Sequence, residues 1–375
     1  MTSCRANKRS SSKINNFKSA LELNRPDSIR LAGSLDKNNS MHKFNRVLPL
    51  ILFAVFQLQT APAATPQNPF ITEDALYVSH NGIHKFNRAT LTREWSALVG
   101  QQTFEPVIGN NLLYIGSPQG LYALDSKTGQ QQWRIEETRT IFSPTIGGQL
   151  YAGSLHGGLY SIEPVSGKVN WQAQFEGWIY SPVVLVDTGQ LWTGGQAHQA
   201  YAVSTKDGRR MHSLALNQES IFSPINLQNQ QIAFNLFNGK TAIVNTASAK
   251  IDAWLNGSTQ PKNLSFDDEL IYRSGRDGTL TAFDRSNYRQ TWQKPIVGQE
   301  LTMHPTSGSD ILLSDLDKEL ILFDPQKNTE VWRSTISGTW FSPVHIDAKS
   351  IIYFNSTNLQ PYELSAVKII AQPTN

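Results

Sequence analysis

Cysteine is nearly missing from this sequence. The 375-residue chain holds one, Cys4, ahead of every patterned segment. A disulfide framework, a c-type haem, a cysteine-held zinc and a cysteine nucleophile all need thiols that the rest of the chain does not have. Lipid attachment to a cysteine behind an export signal is excluded on the same ground. A chain this long can bury a core without such staples. Strong charge of one sign is missing too. The net +3 divides into +7 over residues 1–63, where ten Lys/Arg face three Asp/Glu, and −4 over residues 64–375. The main body is therefore mildly acidic, with no basic stripe for nucleic acid. The serine-hydrolase pattern GxSxG is absent, and "GSLHGG" at 153–158 does not replace it.

Long apolar runs are also lacking. The run Val47–Leu58 is well short of the roughly 20 residues that span a bilayer. Its flanks explain it differently. From Met41 the chain reads a short basic head, this run, and the small-residue site Ala61-Pro62-Ala63. That is the pattern of a secretory signal peptide over 41–63, cut before Ala64. Residues 1–40 are basic, Ser/Asn-rich and aperiodic, and read as disordered or as a start codon placed too early. The expected location is periplasmic or secreted, with no transmembrane span in the mature chain.

What the sequence does have is repetition. "GLYALDSKTGQQQW" (120–133) returns 38 residues later as "GLYSIEPVSGKVNW" (158–171). Each phrase predicts a β-hairpin: an apolar strand, a turn closed by Asp or Glu and by Gly129 or Gly167, and a second strand carrying a Trp. Trp95, Trp133, Trp171, Trp254, Trp292 and Trp332 are read as equivalent, with Met211 filling the gap between Trp171 and Trp254. The spacings are then 38, 38, 40, 43, 38 and 40. Prolines at 69, 106, 144, 182, 224, 261, 305 and 343 run in phase. One unit predicts strands at Phe142–Ile146, Leu150–Ser154, Gly158–Glu163 and Val169–Phe175. A Trp needs a neighbouring surface to bury its large area, and the next copy supplies it. A period near 40 predicts an all-β chain: an eight-bladed β-propeller with four-stranded antiparallel blades, filling residues 64–375 as one domain.

The phrase "LYALDSKTGQQQW", preceded by "LLYIGSPQG", resembles the repeat of quinoprotein-like (PQQ-repeat) β-propellers over about 300 residues. The matched residues are structural, so the resemblance speaks to fold more than to function. Dehydrogenases of that superfamily carry a vicinal disulfide, calcium and pyrroloquinoline quinone (PQQ). No cysteine pair or ligand set matches theirs here. In size and in lacking catalytic residues the chain is closer to the BamB-like propellers of the bacterial envelope. That resemblance implies a non-catalytic scaffold, a monomer within a complex, with an envelope protein as partner and a role in outer-membrane protein assembly. No cofactor, metal or catalytic residue is expected. The alternatives are a PQQ- and calcium-dependent oxidoreductase and a small-ligand enzyme at the channel mouth.

Loops reaching one face of a propeller supply the candidate contacts. Phe104, Phe142, Tyr180, Phe222 and Phe341 each stand two residues before a Pro and read as a packing tier. Trp178 and Trp340 fall outside that tier, and aromatics of this kind are enriched at interface hot spots. His156, His198 and Arg276 join them as partner-binding candidates. His80, Asp277, Asp315 and Asp317 share such loops. Three histidines invite a metal, but on different blades they need not converge. "SDLDKE" lacks the glycine and closing glutamate of a calcium loop.

Overall fold

The computed structural model describes residues 70–375, apart from 137–139, 180–182, 188, 219–223, 258–260, 299, 305–309, 316–318, 336–342, 347–349, 356–362 and 369–375. Beyond 335 only the course of the strands is described. All the described residues lie in the second of two units, 62–375. No helix among the described residues is long and apolar enough to cross a membrane.

The second unit is built from antiparallel sheets that follow one another along the chain. Blade 1 comprises β1 (Phe70–Ile71), β2 (Ala75–Ser79), β3 (Ile83–Asn87) and β4 (Arg93–Ala97). Blade 2 comprises β5 (Val107–Gly109), β6 (Leu112–Ser117), β7 (Gly120–Asp125) and β8 (Gln131–Glu136). Blade 3 comprises β9 (Thr145–Gly147), β10 (Gln149–Gly153), β11 (Gly158–Ile162) and β12 (Val169–Gln174). Blade 4 comprises β13 (Val184–Asp187), β14 (Gln190–Thr193), β15 (Gln199–Ser204) and β16 (Arg210–Ala215). Blade 5 comprises β17 (Ile225–Gln228), β18 (Gln231–Asn235), β19 (Thr241–Asn245) and β20 (Lys250–Leu255). Blade 6 comprises β21 (Pro261–Phe266), β22 (Leu270–Gly275), β23 (Thr279–Asp284) and β24 (Gln290–Pro295). Blade 7 comprises β25 (Thr302–His304), β26 (Ile311–Ser314), β27 (Glu319–Asp324) and β28 (Thr329–Thr335). A last sheet has only β29 (Pro343–Ile346), β30 (Ser350–Asn355) and β31 (Glu363–Lys368).

The blade count corrects the sequence reading. Among the described residues seven sheets have four strands in simple up-and-down order, and the eighth has three. The propeller is seven-bladed, not eight-bladed. The physical reason lies in the tail, where no Trp-bearing hairpin follows "PYELSA". Three predicted strands of blade 3 shift by one residue at most, and the innermost starts three residues later than predicted. The innermost is shortest, β9, preceded by an isolated bridge from Ile141 to Ser154.

Burial follows from the stacking of blades. The second and third strands of a blade are covered on both faces, so β6 and β7 are almost wholly buried. The fourth strand alternates, as β8 and β12 show. The core is accordingly a series of seams. Leu112, Tyr114, Leu121 and Ala123 of blade 2 meet Leu150, Ala152, Tyr160 and Ile162 of blade 3. The other seams from blade 1 to blade 7 have comparable clusters.

The first three seams share one latch. The indole of Trp95 lies on the turn glycine of the next blade, Gly129, where an added Cβ would stand 2.7 Å from the ring. Trp133 lies likewise on Gly167, at 2.7 Å, and Trp171 on Gly208, at 2.5 Å. These glycines have φ of 74°, 72° and 72°, so close approach and left-handed backbone both require glycine. Each indole N–H also donates across the seam: Trp95 to the Ser126 carbonyl at 3.3 Å, Trp133 to Pro164 at 2.9 Å, and Trp171 to Thr205 at 2.9 Å. The turn itself is held by a carboxylate. Asp125 accepts from the N–H groups of Lys127 and Thr128 at 3.0 and 2.8 Å. Those hydrogen bonds hold its pKa below the usual carboxylate range.

Within a blade the latch belongs to a row of three residues across strands two, three and four. Blade 2 reads Tyr114–Ala123–Trp133; blade 3 reads Tyr151–Ser161–Trp171. The small central residue lets the two rings approach, to 5.8 and 6.1 Å between centroids. Blade 4 reads Trp192–Ala202–His212, and blade 5 reads Ala233–Ile243–Ala253. Met211 and Trp254 therefore stand one residue outside the positions expected of them, 40% and 36% exposed. Blade 6 returns to Tyr272–Ala282–Trp292.

Candidate functional site

At the end of the blades where strand two turns into strand three, the loops are nested. The connection from β12 to β13 runs between two of them. Phe175 N–H donates to the Gly157 carbonyl at 2.8 Å, and Ile179 N–H to Ser154 at 3.2 Å. On the other side Gln196 N–H donates to the Trp178 carbonyl at 3.1 Å. The Gln174 side-chain amide donates to the His156 carbonyl. A Cβ on Gly195 would collide with the Trp178 carbonyl at 1.9 Å, so the backbone carrying that indole is closely held.

Three of the five predicted contacts thus lie in adjoining loops. His156 is exposed in the β10–β11 loop, Trp178 is half-buried in the β12–β13 connection, and His198 is exposed in the β14–β15 loop. His198 has a left-handed backbone, φ 59°, one of the conformations histidine tolerates better than most residues. Arg276 is elsewhere, on blade 6, with its Nε 3.2 Å from Glu300. Trp340 lies outside the described residues, as do Tyr180, Phe222, Phe341 and Asp317. The packing tier is seen where Phe104 and Phe142 meet at 5.1 Å.

The other loop residues serve their own turns. Asp277 accepts from the Thr279 N–H and hydroxyl at 3.1 and 2.6 Å. Asp315 accepts from Glu319 N–H at 2.9 Å. The His80 carbonyl meets His84 Nε2 at 2.9 Å. Among the described residues no three His, Cys, Asp or Glu side chains gather as metal ligands.

Two titratable groups were not foreseen from the sequence. Arg273 in β22 is buried, and its guanidinium donates to the carbonyls of Gly239, Leu255 and Asn256 at 3.0, 3.3 and 3.0 Å. It also lies 5.5 Å from the Phe283 ring. Burial lowers its pKa to about 10, which leaves it cationic at neutral pH. A buried cation is costly unless hydrogen-bonded; three carbonyls from blade 5 supply those bonds, and the Asp277 carboxylate also favours the charged form. Arg273 therefore ties blade 6 to blade 5 from beneath the loops. The signal was an Arg inside the otherwise core-like strand "LIYRSG". His304 in β25 is half-buried, with Nε2 2.7 Å from Ser314 Oγ. Desolvation of its ring lowers its pKa to about 3, so it stays neutral at physiological pH.

Comparison with known proteins agrees with this architecture. The family model described as "Outer membrane protein assembly factor BamB" matches residues 60–135 and 119–263. No curated protein matches in sequence. The crystal structure of BamB from Moraxella catarrhalis superposes with a TM-score of 0.66 at 15% identity, covering 81% of this chain and 96% of that one. The computationally designed protein Ika8 superposes with a TM-score of 0.70 at 10% identity, covering 83% and 98%. At these identities the likeness is one of fold alone.

Proposed function

This chain belongs to the PQQ-repeat β-propeller family of the outer membrane protein assembly factor BamB, and from that premise we propose that it is a non-catalytic scaffold of the bacterial envelope that serves outer-membrane protein assembly. The observation that carries the reading is the loop arrangement of blades 3 and 4. Trp178, His156 and His198 are offered on loops whose backbones are hydrogen-bonded to one another. A rigid platform of this kind loses little conformational freedom on binding, which favours affinity for a protein surface. A half-buried indole beside two imidazoles suits a partner with apolar and hydrogen-bonding groups.

The reading assigns no catalytic residue, cofactor or metal, and it places the mature chain on the periplasmic side after cleavage before Ala64. N-terminal sequencing of the exported protein tests the cleavage. The function is tested by purifying the exported chain from envelope extract. A stoichiometric envelope protein is expected to co-elute with the native chain and to be lost from a Trp178→Ala, His156→Ala variant of unchanged thermal stability. Retention by that variant would reject the site. Visible absorbance on adding PQQ and calcium, with no co-eluting protein, would favour the oxidoreductase instead.

A further inference from the structure

The fourth strand of every blade is a sheet edge, and an open edge is a template for another strand unless it is guarded. Most of these edges carry a guard. β24 ends in Pro295, which has no N–H to offer. Ion pairs stand on three more: Lys85 with Glu94 at 2.9 Å on β4, Arg134 with Glu136 at 3.4 Å on β8, and Arg333 with Glu330 at 2.7 Å on β28.

β16 is different. Four consecutive residues, Arg210–Ser213, are exposed, whereas the outer strands of blades 1–3 and 5–7 expose at most two in a row. The displaced Met211 is among them, 40% exposed. The strand and the turn before it carry Lys206, Arg209 and Arg210. Their one carboxylate, Asp207, accepts the Arg209 backbone N–H at 3.1 Å. Arg210 lies 5.9 Å over the Tyr201 ring, which holds its guanidinium on this face. The ladder also fixes which backbone groups are free to pair. Leu216 N–H donates inward to His198 at 2.9 Å. Alternation along an antiparallel pair then turns Leu214 and His212 inward and Ser213 and Ala215 to the open edge.

We propose that the edge of β16 is a docking strand for an extended, acidic segment of a partner protein. The segment adds as a fifth strand, with carboxylates against Arg209 and Arg210 and an apolar side chain against Met211. Main-chain hydrogen bonds supply the affinity and the side chains the selection. The inference rests on the scaffold reading and adds to it a strand and a chemistry.

The probe is a synthetic peptide of alternating valine and glutamate, with a valine–lysine peptide as control, titrated against the full chain by fluorescence anisotropy. The glutamate peptide is expected to bind at least about tenfold more tightly. An Arg209→Glu, Arg210→Glu variant reverses the preference. A glutamate peptide N-methylated at alternate amides fails on the native chain, a control that needs no folded variant. Ser213→Pro, which removes an outward N–H, weakens binding while leaving the thermal transition in place. Equal binding of the two native peptides, or unimpaired binding of the N-methylated one, would overturn the proposal. So would concentration-dependent dimerisation abolished by Ser213→Pro, which would assign the edge to a second copy. The scaffold reading is tested separately by co-elution with the Trp178 variant, so the two can fail independently.

Discussion

The seams between blades 1 and 4 are closed differently from those between blades 4 and 6. In the first group an indole from one blade rests on a turn glycine of the next and donates to a carbonyl there. In the second both partners change together. At the seam from blade 4 to blade 5, His212 replaces the indole and Ala249, φ 52°, replaces the glycine. The indole of Trp192, two strands further in, packs on Phe234 at 6.2 Å instead. At the seam from blade 5 to blade 6 the exchange goes further. Ala233 and Ala253 leave the blade 5 row without an aromatic ring, and the glycine position of blade 6 is Tyr288, φ 60°. Tyr288 packs into the cluster that contains both alanines, and the Gln231 side-chain amide donates to its hydroxyl. Beside it Arg285 donates to the Leu227 carbonyl of blade 5 at 2.6 Å. The difference teaches that the seam needs one large ring at this level and accepts it from either side.

The largest expected effect comes from emptying a standard latch. Trp133→Ala removes a ring packed in a seam and its cross-seam hydrogen bond, and should cost about 3 kcal/mol in denaturant unfolding. Gly129→Ala places a methyl against the Trp95 ring in a left-handed backbone and should cost about 1–2 kcal/mol. Installing the latch where it is missing, with His212→Trp and Ala249→Gly together, should raise stability by up to about 1 kcal/mol, read from the shift in denaturation midpoint. Trp254→Ala should change it by less than about 0.5 kcal/mol, because that indole is a surface residue. A cost for Trp254→Ala equal to that for Trp133→Ala would erase the distinction between the two kinds of seam.

The fold class was legible because the latch repeats in sequence: an indole can be buried only against a copy of its own turn, so ring and turn recur in phase. The same rule misled at Met211 and Trp254. Each is the nearest bulky residue to the expected place, but the strand register, which has the same bulge in every blade, puts His212 and Ala253 there. With those residues the slot spacings become 38, 38, 41, 41, 39 and 40, more even than those counted from the large side chains. Eight proline marks suggested eight blades, but a proline marks only where an inner strand starts. Whether a fourth strand follows depends on a hairpin that the last unit lacks. The closeness of His156, Trp178 and His198 could be read from loop phase. Arg273 was missed because its one signal, a charge inside a core-like strand, does not name the main-chain carbonyls that satisfy it.

The seam between blades 5 and 6 is where the ring changes sides, and a double-mutant cycle there tests that exchange directly. Ala253→Trp should clash with Tyr288, and Tyr288→Gly should leave a void, so each alone destabilises the chain. Together they rebuild the standard latch, and the pair should recover about 1–3 kcal/mol relative to the sum of the single changes. Additive losses, with no recovery in the double variant, would contradict the claim that one ring position, filled from either blade, holds the seam.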